Sequence, residues 1–138
     1  MNRRIQLKIS DVVIVNFPER NPPGHEPTGI RPAIVVGVPC RIPQRYPMIE
    51  VVPTSNLVCA STNERRFWAD SFPEIYPILP KGSGNLRNDS IVLASDMQSV
   101  DRNRVCSYCG RLTLRQFLPV AKAIEVVYGI QIGLPVDV

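Results

Sequence analysis

Prolines cut this chain into short runs, and that spacing limits its fold more than any other feature of the sequence. Fourteen occur in 138 residues, about twice the usual proportion, and they are spread from one end to the other. A proline fixes its own φ and has no N–H to give, which works against long helices and unbroken central strands. Short strands joined by turns remain. "DVVIVNF" (Asp11 to Phe17), "AIVVGV" (Ala33 to Val38), "MIEVVP" (Met48 to Pro53) and "SIVLAS" (Ser90 to Ser95) read as strands with a buried face. "IYPILP" (Ile75 to Pro80) reads as an edge strand, where Pro77 is tolerated.

One stretch is helical instead. Leu114, Phe117, Leu118, Ala121, Ile124, Val127 and Tyr128 recur at three and four residues, with Thr113 and Gln116 as a capping box and Gly129 as the stop. Pro119 falls inside this stretch and predicts either a kink or a later start. The expected architecture is mainly β: a small, strongly bent sheet or barrel with one C-terminal helix, forming one domain over residues 1–138.

Charge and composition bound the function. The net charge is +4, and thirteen of the sixteen Lys and Arg residues are arginine, whose planar fork suits phosphate or carboxylate. The start, "MNRRIQLKISD", is interrupted by Lys8 and Asp11, so it has no signal-peptide core, and the chain has no run of about 18 apolar residues. A cytoplasmic protein with no membrane contact is expected, its four cysteines (Cys40, Cys59, Cys106 and Cys109) reduced. "CSYC" is a single CxxC without a second pair at zinc spacing, and the only histidine is distant. No metal site is expected.

The chemistry gathers in "GHEPTGIRP", between the first two predicted strands. His25 is the only histidine, Glu26 adjoins it, and Arg31 stands where the loop meets the strand, its entry fixed by Pro32. A proton-transfer pair beside an anchored cation suits stabilisation of a developing oxyanion; alone, the stretch fits a solvated surface loop equally well. "VVPTS" adds Thr54 and Ser55, two hydroxyls that can hold a phosphate or steer an attacking group. The stretch "NERRFWADSFPE" places the only tryptophan, Trp68, beside Arg65 and Arg66, a combination that stacks on unpaired bases or receives a protein partner.

In order and spacing, these blocks resemble the MazF/PemK family of toxin endoribonucleases. The resemblance runs through "DVVIVNF", "GHEPTGIRPAIVV", "VVPTS", "NDSIVLASDMQSVDRNRV", "CGRLT" and the terminal helix, from about Ile9 to Gly129, and "GHExxGxRP" is its specific part. It implies an SH3-like barrel with a C-terminal helix, a homodimer, and cleavage of single-stranded RNA with no metal or cofactor. The substrate's own 2'-hydroxyl attacks the adjacent phosphorus, leaving 2',3'-cyclic phosphate and 5'-hydroxyl ends. It also implies a cognate antitoxin, with DNA met only through the antitoxin complex.

Because nucleophile and phosphorus are already joined, the protein need supply only positioning, charge stabilisation and proton transfer. In that scheme Arg31 takes the non-bridging oxygens, Thr54 holds the scissile phosphate or the 2'-oxygen, and Glu26 or His25 moves protons. Ser55, Asn56 and Gln98, with Arg65, Arg66 and Trp68, bind the RNA. The sequence departs from the family at "CSYC", in the Trp68 segment, which reads as an insertion, and at Ser95-Asp96, where many relatives carry Asp-Gln. On a strand, that one-residue shift turns the Asp96 carboxylate to the opposite face. The alternative reading is a catalytically inactive module of the same fold that binds nucleic acid or protein.

Overall fold

A computed structural model describes residues 6–19, 21–22, 24, 27–39 and 47–130. Among these, the chain forms β1 (Asp11–Phe17), β2 (Gly29–Gly37), β3 (Met48–Asn56), α1 (Trp68–Ser71), β4 (Ile78–Leu79), β5 (Ser90–Val92), β6 (Gln98–Asp101), β7 (Val105–Arg111) and α2 (Leu114–Tyr128). The strands make one bent antiparallel sheet in the order β4-β5-β3-β2-β1-β7, with β6 also paired to β3. The sheet is open, with β4 and β7 at its two ends.

β3 is the axis of the bend. One edge pairs with β2, while the other is shared: its first half matches β6 (Met48↔Asp101 to Val51↔Gln98) and its last three residues match β5 (Thr54↔Val92 to Asn56↔Ser90). Pro53, which has no N–H to donate, stands where the partner changes, and its carbonyl accepts the Leu93 N–H at 3.0 Å. A single turn of 3-10 helix, Ala94–Asp96, carries the chain from β5 to β6 at this point.

Alternating side chains give the sheet two buried faces. Val12, Ile34, Val52, Val92 and Leu112 meet Phe117, Val120, Ala121 and Ile124 of α2. Val13, Val15, Ala33, Val35, Ile49, Val51 and Val100 form the other core. Each fully buried aliphatic or aromatic side chain is worth about 1.5–3 kcal/mol, so the alternation of β1, β2 and β3 between the two cores fixes their register.

β1 has the bounds expected from sequence, but β2 starts earlier, at Gly29, and β3 runs on to Asn56. β4 is an edge strand with Pro77 just outside it, the Pro77 carbonyl accepting the Val92 N–H at 2.9 Å. "SIVLAS" is only half strand: β5 ends at Val92, and Ala94–Asp96 is the 3-10 turn. α2 starts at Leu114 under the expected Thr113/Gln116 capping box and continues past Pro119, with Gly129 as its left-handed stop. A later start is ruled out. Pro119 denies a hydrogen bond to the Arg115 carbonyl, and both residues are exposed, so water can satisfy that oxygen.

Candidate active site

Arg31 is the third residue of β2. The loop enters that strand through Gly29 at φ +80°, a conformation that suits a residue without Cβ. Val35 and Ala33 belong to the core that lies away from α2, and alternation puts Arg31 at the end of their row, where burial gives way to solvent. Its Nε and Nη2 donate to the Thr28 carbonyl at 3.2 and 2.8 Å, and Nη1 donates to the Thr54 carbonyl at 3.5 Å. Three of the five guanidinium N–H groups are thus directed at backbone among the described residues, which fixes the plane of the fork and leaves two for an anion.

Partial burial lowers the pKa of Arg31, the charge of Arg66 lowers it further, and Asp96 opposes both. The charges of Arg66 and Asp96 thus act on a partly desolvated guanidinium. Such a cation is most stable when an anion completes it.

Asp96 lies in the 3-10 turn and not on a strand, and its charge acts on Arg31 from there. The alternation that would send its carboxylate to the opposite face does not operate there, which corrects the expectation drawn from sequence. The turn is held from two sides. Gln98 Nε2 donates to the Asp96 carbonyl at 3.4 Å. The Tyr128 hydroxyl, at the end of α2, donates to the Ser95 carbonyl at 3.0 Å and accepts the Met97 N–H at 3.2 Å.

The other predicted residues separate. Thr54 is only 1% exposed, and its hydroxyl donates to the Pro32 carbonyl at 2.9 Å; as it stands, it braces β2 against β3 beneath the guanidinium. Alternation along β3 places half-buried Ser55 on the Arg31 side and puts Thr54 and Asn56 on the α2 side. Asn56 lines a cleft of about 660 Å³ there with Pro32, Asn88, Ser90, Ser107 and Tyr108. Arg65 is engaged by Asp70 through two contacts, at 3.1 and 2.8 Å. This hydrogen bonding raises the pKa of Arg65 and lowers that of Asp70. Trp68 opens α1, exposed and edge-on to Tyr76. His25 and Glu26 lie outside the described residues. Cys106 and Cys109 are free thiols on β7. No group of three or more His, Cys, Asp or Glu side chains suited to a metal occurs among the described residues, and no helix there is long and apolar enough to cross a membrane.

Residues 8–128 match a family model described as PemK-like, MazF-like toxin of type II toxin-antitoxin system. The chain belongs to this family. MazF from Deinococcus radiodurans has a similar fold, at TM-score 0.65 and 22% identity over 90% of this chain and 97% of that one. The same protein in a MazE-MazF complex gives TM-score 0.61 at 21% identity, over 91% and 97%. An endoribonuclease in complex with its cognate antitoxin, from a mycobacterial species, gives TM-score 0.63 at 13% identity over 94% of this chain and 100% of that one. At these identities the likeness is one of fold. No curated protein sequence matches the chain significantly.

Within this PemK/MazF-like chain the Arg31 group is the best-defined polar constellation. Sequence reading missed the tie from Tyr128, because the helical period alone assigns that residue to the buried face. It also passed over Phe67 and Phe72, exposed on either side of Trp68. Their signal was present as aromatic density in "RRFWADSF".

Proposed function

We propose that this chain is a toxin endoribonuclease that cleaves single-stranded RNA at short sequences by attack of the substrate's own 2'-hydroxyl. The products are 2',3'-cyclic phosphate and 5'-hydroxyl ends, and no metal takes part. The observation that carries this reading is the clamped Arg31 fork, presented near the start of β2 with two N–H groups not engaged among the described residues. Membership of the toxin family supports it.

In this reading Arg31 grips the non-bridging oxygens and stabilises the charge that grows on them in the transition state. Asp96 orients the fork and tempers the repulsion from Arg66. His25 and Glu26, three and two positions before the Thr28 carbonyl that holds the guanidinium, supply the proton transfers. Thr54, buried on the α2 side of β3, keeps the clamp rigid through its hydrogen bond to the Pro32 carbonyl. Ser55 and Gln98 line the same side. The protein works as one domain over residues 1–138, as a cytoplasmic homodimer, and a cognate antitoxin rich in acidic residues silences it. DNA is met only through that complex.

The test is digestion of a long defined RNA in EDTA, with the 5' ends mapped and their chemistry read by direct phosphorylation. Ends that accept phosphate without prior dephosphorylation, clustered at one short sequence, are expected. Cleavage only with a divalent metal, or ends that already carry phosphate, would overturn the mechanism.

A further inference from the structure

The segment between β3 and β4 folds back on the end of β3. Val58 bridges Arg65, the Cys59 N–H donates to the Glu64 carbonyl at 2.8 Å, and the Arg66 N–H donates to the Leu57 carbonyl at 2.8 Å. Arg66 is therefore set beside Leu57, three residues beyond the Thr54 carbonyl to which Arg31 reaches. Its Nε is buried and finds no acceptor among the described residues. Directly after it, Phe67, Trp68 and Phe72 are 69%, 44% and 58% exposed. These rings belong to an ordered turn: Arg65 and Asp70 clamp it, and Trp68 meets Tyr76 edge-on with centroids 5.0 Å apart. Large aromatic side chains held in place and left in water mark a contact surface.

We infer that Arg66, Phe67, Trp68 and Phe72 form a shelf on which unpaired RNA bases stack beside the phosphate held by Arg31. The inference rests on the reading of Arg31 as the phosphate site. Charge and shape together select the occupant. Arg65 is neutralised by Asp70, while the charge of Arg66 acts on Arg31, so that the two together disfavour a further cation and favour a polyanion. An acidic peptide would satisfy that charge and could pack apolar side chains on the rings, but it would not place a phosphate at Arg31 beside them. Unpaired nucleotides use both, through phosphates on arginine and bases on rings.

The test uses a short fluorescent single-stranded RNA containing the mapped cut sequence, with a 2'-O-methyl group at the cut nucleotide to block attack. Anisotropy titrations compare the wild type with Trp68→Ala, the Phe67→Ala/Phe72→Ala pair and Arg66→Gln. All the replaced rings are exposed, so the variants keep their cores. Affinity should fall about tenfold for each lost stacking ring. Arg66→Gln should flatten the slope of log affinity against log salt by about 0.7, the value for one phosphate contact on a single strand. Removing the bases that flank the cut site from the probe should weaken wild-type binding to the same degree and make the ring variants no worse. Equal affinity across the set overturns the shelf, as does a loss confined to binding of an acidic antitoxin peptide. If ring-dependent binding is found but the wild type cuts no RNA, the cleavage reading falls and the shelf stands. If the wild type cuts and the ring variants bind as well as it does, the shelf alone falls.

Discussion

Replacing Arg31 by lysine keeps the charge at the end of β2 and removes the fork. The structure sets the size of the effect. Lysine loses the paired donation to the Thr28 carbonyl and the reach to the Thr54 carbonyl, roughly two net hydrogen bonds at about 0.5–1.5 kcal/mol each, or about 2 kcal/mol of stability. Against a typical total of about 5–15 kcal/mol the protein stays folded. The rate should suffer far more. One oriented donor to the developing oxyanion is lost, which costs about 10² to 10³ in the chemical step, while the retained charge keeps RNA affinity close to that of the wild type. Single-turnover cleavage of a quenched fluorescent RNA by saturating enzyme reads the chemical step, and urea unfolding of the same samples reads the stability. Arg31→Ala should be slower still and bind RNA less tightly. If Arg31→Lys cleaves within about threefold of the wild type, the fork is not what stabilises the transition state and the assignment of Arg31 fails.

Other consequences are open to direct measurement. Thr54→Val, which keeps the shape but removes the donor to the Pro32 carbonyl, should lose about 1 kcal/mol in urea unfolding while Thr54→Ser retains it; equal losses would show that the hydroxyl is not the brace. A Cβ at Gly110 would lie 2.8 Å from the Gly84 carbonyl oxygen and 2.7 Å from Asn85 Nδ2, so Gly110→Ala should cost about 1–3 kcal/mol and lower the melting temperature. An unchanged melting temperature would place that loop further from β7. Hydrogen bonds from Ser61 and Thr62 bring the Cys59 thiol down to about 6, whereas burial pushes Cys109 up. Cys59 should therefore be thiolate at neutral pH and be alkylated by iodoacetamide well before Cys109, slowing as the pH falls through about 6. Equal rates at the two cysteines, read by peptide mass spectrometry, would refute that ordering.

The parts of the fold that sequence revealed are those where burial is continuous. β1 and the centre of β2 carry unbroken β-branched runs, and β3 carries Val51-Val52, because each strand gives side chains to a core on both faces. α2 was legible from its period and its capping residues together. β6 and β7 escaped notice because "QSVD" and "VCSYCGR" mix polar residues into the strand. The turn at Ala94–Asp96 was hidden by the apolar run leading into it, and with it the reason that strand alternation does not govern Asp96. Arg31 itself was legible from a glycine, an arginine and a proline at the mouth of a strand. The separation of Thr54 and Asn56 from it was not, since it depends on which face of β3 each residue takes. That choice is set by pairing with Val92 and Ser90, far along the chain.

The Tyr128 hydroxyl gives the molecule a lever that crosses the sheet. α2 seats in one core, while Arg31 extends from the other, and one phenol joins the end of the helix to the turn that carries the counter-charge of Arg31. The turn that carries Asp96 is thus held from behind, by the seating of the last helical turn. If Arg31 is the phosphate site, loosening that turn should alter the field at its guanidinium before it disturbs the sheet.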